Sequence, residues 1–406
     1  MGMIHINKLE PGMVLADEVR DLSGKLLLGK GKTIQPDHFR VFKIWGVTEV
    51  NICGNNGKKK ESKPDFNLEQ YKKSKEITRQ VFRYNDCEHP AIKEIFRLSV
   101  LFRNEYKSFN SDSNTKLDQD RAVKKCNTGK YTELDMADIT LPEMPSIVVE
   151  LNDVITNPRS TADDIAQVVQ KSPSLTAMLL KLVNSTFYSL PSKINKISSA
   201  VILIGTKEIA ALALGISILS TFDKIPKKIV DMFQFLKHSI ACGIISRMLA
   251  AQKGIAQTEQ FFVSGLLHDL GRLILYNNFP EDSLNILGLS RTTNKLLYEA
   301  ETDYLGCNHS HVAKLLIQRW KLPITLENNV FYHHNPSEAS QPIPATLVHL
   351  ADIMTNGLGI GTSGERYAPP LDTEAWDGLG LSATCFDLVL RQTTHQFFAL
   401  ESMLEN

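Results

Sequence analysis

The stretch SGLLHDLGRLIL, Ser264 to Leu275, places an imidazole and a carboxylate side by side inside an otherwise apolar run. Gly265, Leu266, Leu267, Leu270, Leu273, Ile274 and Leu275 make the run read as a buried helix, so His268 and Asp269 must go inside with it. Burying both groups is unfavourable unless each has partners. A divalent cation satisfies the two together, because neutral imidazole and ionised carboxylate are ordinary ligands for zinc, iron and manganese. A hydrogen-bonded His–Asp pair in a helical core is the plainer alternative. The choice depends on what else the chain can bring to this pair.

The 406 residues exceed one ordinary domain and suggest two or three. Lysine plus arginine equals aspartate plus glutamate, at 45 each, which argues against a broad electrostatic grip on nucleic acid or anionic lipid. No basic stripe, zinc-finger spacing or aromatic-rich sheet pattern suggests direct nucleic-acid binding. Six cysteines (Cys53, Cys87, Cys126, Cys242, Cys307 and Cys385) include no Cys-x-x-Cys pair, so reduced thiols are the simplest reading. The most apolar segment, Ala200 to Thr221, is interrupted by Lys207 and Glu208, and MGMIHINKLEPGM lacks the basic start and apolar core of a signal peptide. A cytoplasmic protein without membrane insertion is expected.

Residues 1–54 read as a small β-rich module. Short strands are expected at Met3–Leu9, Met13–Val19, Lys25–Leu28 and Gly46–Ile52, with a helix over His38–Trp45. Residues 55–138 read as a polar linker. It holds amphipathic helices at Leu68–Phe82 and His89–Tyr106, the cluster Lys58-Lys59-Lys60, and an apolar-poor stretch from Lys107 to Lys130. From residue 139 to 406 the pattern is mainly α, with helical spacing in segment after segment and almost no strand signal, which predicts a large all-helical bundle. Ser160 or Thr161 caps a helix over Ala162–Gln170, Ile229–Ala250 carries His238, Gln257–Tyr276 forms one helix around the His–Asp pair, and Pro344–Leu358 carries His349 and Asp352. The glycine-rich GLGIGTSGERYAPP lacks the preceding strand and the Gly-Lys-Ser/Thr of a phosphate loop.

Seven of the eleven histidines fall between His238 and His349. The candidate ligands are His238 on one helix, His268 and Asp269 on the next, His309 at a helix start, His333 and His334 at a helix end, and Asp352. His311 and His349 read as surface or core residues, Trp320 as packing, and Cys242 and Cys307 as small apolar fillers. Successive helical side chains diverge by roughly 100°. The adjacent pairs would therefore serve two neighbouring metals, or one metal and its outer shell.

LPEMPSIVVEL, KLVNSTFY, the segment Ile197–Gly205, GLLHDLGRLIL, LGCNHSHVAKLLIQRWKLP and YHHNP together resemble the HD superfamily of metal-dependent phosphohydrolases, and in their order the HDOD family of bacterial signalling proteins. The first 52 residues resemble a small module found ahead of HD-GYP and HDOD domains. The resemblance implies an HD-type site within residues 238–352 holding one or two divalent ions (iron, manganese, nickel or zinc) on His238, His268, Asp269, His309, His333, His334 and Asp352. HD-GYP relatives hydrolyse cyclic di-GMP, but the GYP tripeptide is missing here, with Asn335-Pro336 following the histidine pair. Arg272 stands where a lysine is expected, and the two are not equivalent phosphate donors.

Two readings follow. In the first, the chain is an HDOD-type signal-transduction protein acting through protein partners, its metal structural or a relic. In the second, it is a metal-dependent phosphohydrolase for a cyclic dinucleotide or other phosphate ligand. There His238, His268, Asp269 and Asp352 hold one metal, His309, His333 and His334 help hold a second, a water between them attacks phosphorus, and Asp269 and Arg272 are the catalytic residues.

Overall fold

The computed structural model describes residues 68–106 and 139–404, without 158, 185–192 and 223–224. Within the first 53 residues it describes 2–6, 9–20, 26–35, 38–39, 42, 47 and 49–53. The expected lysine cluster, the stretch from Lys107 to Lys130 and most of the helix His38–Trp45 lie outside the described residues, although His38, Phe39 and Phe42 are helical.

Two antiparallel ribbons make up the N-terminal unit. β1 (Gly2–His5) pairs with β4 (Glu49–Ile52), and β2 (Val19–Arg20) with β3 (Leu26–Leu28). The expected strand Met13–Val19 joins only through single bridges, Val14 to Thr33 and Leu15 to Ile52. Leu15, Ile34, Phe42 and Val50 close a small core of their own.

The rest of the described residues are mainly helical, and a second, larger core runs from Val81 to Phe397. The two helices that the sequence assigns to the linker, α1 (Leu68–Val81) and α2 (Pro90–Glu105), bury Val81, Phe82, Ile92, Ile95 and Phe102 in this same core. His89 is structural, because its Nδ1 accepts from the Ala91 amide at the N-terminus of α2 (3.3 Å). Then follow α3 (Ser146–Thr156), α4 (Ala162–Gln170), α5 (Pro173–Asn184), α6 (Ile197–Ile204) and α7 (Thr206–Leu219). Thr161 and Asp164 form a reciprocal capping box at α4.

The central element is α8 (Met232–Gln252). Ala241, Cys242, Ile244, Ile245 and Leu249 bury it on several sides, and it packs against α9 (Glu259–Leu267), α15 (Pro342–Leu358) and α17 (Cys385–Leu404). Between α9 and α15 come α10 (Leu270–Asn278), α11 (Pro280–Thr293), α12 (Leu297–Leu305), α13 (His309–Arg319) and α14 (Ile324–Phe331), and α16 (Thr373–Leu379) precedes α17. No helix among the described residues is long and apolar enough to cross a membrane.

The helix expected around the His–Asp pair is interrupted. Gln257–Tyr276 is not one helix but two, α9 and α10, and the break falls at His268 and Asp269, where Asp269 adopts φ −95°, ψ 14°. Apolar periodicity is continuous across the junction, because both helices are buried, and so it does not reveal the break. Immediately beyond it, α10 crosses α13 so closely that a Cβ at Gly271 would overlap the His309 carbonyl. Gly271→Ala should therefore destabilise the protein by about 3 kcal/mol in urea titrations. Gly288→Ala, in α11 with no neighbour near its Cβ position, should instead stabilise by roughly 0.5–1 kcal/mol.

Candidate metal centre

Five parts of the bundle converge on one point. α8 brings His238, the α9–α10 junction His268 and Asp269, the first turn of α13 His309, the end of α14 His333 and His334, and the middle of α15 Asp352. Asn308 caps α13 by accepting from the Ser310 amide at 3.1 Å, which fixes where His309 emerges. His268 Nε2 lies 3.4 Å from His238 Nε2, 3.2 Å from Asp269 Oδ2 and 3.5 Å from Asp352 Oδ1. His309 Nε2 lies 3.4 Å from His333 Nε2 and 3.2 Å from His334 Nε2.

The residues form groups able to hold an ion: His238, His268 and Asp269; His309, His333 and His334; and, spanning both, His268, His333 and Asp352. Asp269 turns one oxygen to each of the first two, Oδ2 to His268 and Oδ1 to His309 Nε2 (3.2 Å). The expectation that adjacent residues diverge holds for a continuous helix. Here His268 and Asp269 both lie in the break between α9 and α10, and His333 and His334 lie past the end of α14, so both members of each pair reach the same cluster.

The outer nitrogens fix the tautomers. His268 Nδ1 is 2.7 Å from the Gly265 carbonyl, His333 Nδ1 2.7 Å from the Val330 carbonyl, and His309 Nδ1 2.6 Å from Glu301 Oε2. Carbonyl and carboxylate oxygens only accept, so each Nδ1 carries a proton, and in its neutral form each ring turns an Nε2 lone pair inward. Lone pairs facing one another at such distances repel unless a cation lies among them. Asp269 Oδ1, a buried carboxylate oxygen, has no hydrogen-bond donor among the described residues. The donor set therefore fits a borderline divalent metal bound by imidazole and carboxylate.

Protons offer only partial relief. Burial works against charge on His268, but Cys242, Asp269 and Asp352 around it hold its pKa well above the usual range, so a proton on its Nε2 can join the two carboxylates. Burial likewise opposes charge on Asp269, yet Arg272 and His268 keep it well below the carboxylate range. Burial and neighbouring imidazoles push His333 and His334 well below the usual imidazole range. Those two rings stay neutral at pH 7 and supply no such proton.

Arg272, expected to face a phosphate, is buried instead among three carboxylates. It donates to Asp269 Oδ2 (3.1 Å) and Ser363 Oγ (2.6 Å), and lies 3.3 Å from Glu301 Oε1 and 3.8 Å from Glu365 Oε2. Glu301, Ser363 and Glu365 escape the sequence reading. Glu301 had a signal, since it occupies the apolar stripe of α12 between Leu297 and Tyr304–Leu305. Ser363 and Glu365 lie in the glycine-rich loop, whose Thr362 amide donates to the Gln234 carbonyl on α8 (3.1 Å) and whose Ser363 carbonyl accepts from Tyr276 (2.8 Å). The loop thus packs against the centre, through Ser363 to Arg272 and through Thr362 to α8. His349 stays outside the set: its Nε2 accepts from the Asp372 amide (3.1 Å), leaving Nδ1 to donate to the His333 carbonyl (2.7 Å). His311 is exposed. Trp320 is buried, and its indole donates to the Pro142 carbonyl.

Residues 141–336 match the HDOD domain family. This segment is an HDOD domain. Asp352 and the closing loop lie beyond the matched residues. The chain is 26% identical over 205 residues to an uncharacterized protein of Treponema pallidum, covering 50% of this chain and 39% of that one, so it spans well under two thirds of that relative. Among solved structures it resembles an HDOD domain protein of unknown function from Geobacter sulfurreducens (TM-score 0.55, 21% identity, 67% of this chain and 95% of that one). It also resembles a protein of Marinobacter aquaeolei provisionally named for signal transduction (TM-score 0.55, 20% identity, 74% and 66%) and one of Shewanella amazonensis provisionally named a phosphohydrolase (TM-score 0.52, 22% identity, 64% and 93%). These likenesses show the helical fold of the HDOD family.

Glu301 orients His309 through a carboxylate–imidazole bond. Glu301→Gln should weaken metal binding by about 10- to 100-fold in chelator competition, with helical circular dichroism unchanged.

Proposed function

We propose that this chain is a regulatory HDOD protein. Its HD-type centre holds one or two divalent ions chiefly to fix the helical bundle, and it acts through protein partners in signalling. The supporting observation is closure. Six of the seven candidate ligand residues are at most 4% exposed, and only His334, stacked on Tyr298 with ring centroids 4.3 Å apart, is partly open. Structural metal sites are closed, whereas catalytic ones keep a position for water or substrate. In this reading His238, His268, Asp269 and Asp352 hold one ion, and His309, His333 and His334 help hold a second. Arg272 is a positioning residue that fixes the Asp269 carboxylate. Iron, manganese, nickel and zinc all suit a set of five imidazoles and two carboxylates without thiolate. The reading has the protein work in the cytoplasm, with no direct contact to nucleic acid, and divides it at residues 54 and 138.

One observation favours phosphohydrolysis as the second reading: Asp269 offers one oxygen to each ligand group, as a carboxylate bridging two ions would. A cation so held acts as a Lewis acid and lowers the pKa of water. The open side at His334 and Tyr298 would then receive a cyclic dinucleotide or another phosphodiester.

Elemental analysis of the purified chain, followed by assays on cyclic di-GMP and bis(p-nitrophenyl) phosphate, separates the two. About one or two ions per chain without turnover supports the regulatory reading. Turnover that disappears in Asp269→Ala supports the second. Metal-free protein from every preparation contradicts both. Asp269→Ala should itself release metal, and unchanged content would show that Asp269 is not a ligand.

A further inference from the structure

The loop after α15, residues 359–371, is held at both ends by the hairpin of α1 and α2, which precedes the segment that matches the HDOD family. At the near end, Arg103 of α2 is buried against the last turn of α15. Its Nε donates to the Gly357 carbonyl (2.8 Å), and a terminal nitrogen donates to the Asn356 carbonyl (3.1 Å). The last carbonyls of a helix lack intrahelical partners and lie at the negative end of its dipole, so a guanidinium suits that position. The packing is close: a Cβ at Gly357 would lie 2.7 Å from the Phe82 ring and from Ser99 Oγ, and one at Gly359 2.6 Å from the guanidinium. At the far end, the Ala368 amide donates to the Val81 carbonyl (2.9 Å). Asn85, in the turn between α1 and α2, donates through Nδ2 to the carbonyls of Ala368 (3.1 Å) and Pro369 (3.0 Å). Its Oδ1 accepts from the Leu371 amide (3.0 Å).

Both supports lead to candidate ligands. Asn356 Nδ2 donates to Asp352 Oδ1 (2.7 Å), the oxygen that faces His238 and His268. Gly361, at φ +63°, approaches α8 so closely that a Cβ would overlap the Gln234 carbonyl and crowd the His238 amide. Between its two ends the loop gives Ser363 Oγ to Arg272 and brings Glu365 to 3.8 Å from it. Displacing the hairpin would therefore loosen the supports of Asp352, of the turn bearing His238 and of Arg272 together.

We infer that the α1–α2 hairpin is a latch on the metal centre. Docked, it keeps the loop packed against the centre and the ligands in place; undocked, it lets the ion exchange. The inference rests on the metal reading above and adds its regulation. Coupling between two equilibria is reciprocal, so the ion in turn favours the docked hairpin. Asn85 and Arg103 are positioning residues in this scheme, acting on the ion through the loop and through α15.

Release of zinc from the loaded full chain into excess 4-(2-pyridylazo)resorcinol, followed by stopped-flow absorbance, tests the latch. Asn85→Ala removes three hydrogen bonds to the loop at a partly exposed position and should speed release by at least about tenfold. Arg103→Gln, at a buried position, should act in the same direction. Thr161→Ala removes the capping box of α4, at the cost typical of a lost cap, and should release zinc like the parent. That variant separates a general loss of stability from loss of the latch. In hydrogen exchange, zinc should slow residues 82–89 of the parent chain by about tenfold. The inference is overturned if zinc binds but Asn85→Ala releases it at the parent rate. It is overturned equally if Thr161→Ala speeds release as much as Asn85→Ala, or if zinc leaves exchange over 82–89 unchanged. A chain that binds no divalent ion would instead overturn the metal reading itself.

Discussion

Nitrogen lone pairs converging in a dry interior govern this molecule. Three imidazoles turn their protonated Nδ1 atoms outward to Gly265, Val330 and Glu301, which commits their Nε2 atoms to facing inward. Two carboxylates join them, and Arg272 balances part of the negative charge. Such a gathering is unfavourable without a cation, and favourable with one only if the helices hold the donors in place. The break between α9 and α10, the cap on α13, Glu301 within α12, the end of α14 and the close approach at Gly271 all serve that placement.

Much of this was legible in the residue order, for identifiable reasons. A buried bundle writes its periodicity plainly, so helix boundaries such as Ala162–Gln170 agree with the sequence reading. A histidine and an aspartate inside an apolar run announce a polar core site, because nothing else justifies their burial. The helix break at His268 and Asp269 was not legible, since apolar residues flank it on both sides. Nor was the commitment of Arg272 to Glu301, Ser363 and Glu365, because those partners come from an apolar helical stripe and from a glycine-rich loop distant in sequence. His349 shows the converse. Histidine clustering alone would place it with the ligands, but its hydrogen bonds to Asp372 and His333 give it a structural task.

The loop after α15 bears on function as well as on shape. It lies beyond the segment that matches the HDOD family, yet it supplies Ser363 to Arg272 and fastens to α8 through Thr362. A centre sealed in this way is suited to holding a conformation, and among the candidate ligands only His334, stacked on Tyr298, is partly open. Glu365 extends the same network: burial raises its carboxyl to about 7, although Arg272 and three backbone amides oppose that rise.

X-ray absorption spectroscopy at the edge of whichever metal copurifies with the full chain tests the central claim most directly. The account requires a shell of nitrogen and oxygen at about 2.0–2.2 Å with imidazole multiple scattering and no sulfur. A sulfur shell near 2.3 Å, or a spectrum without imidazole scattering, would mean that the converging histidines do not hold the ion.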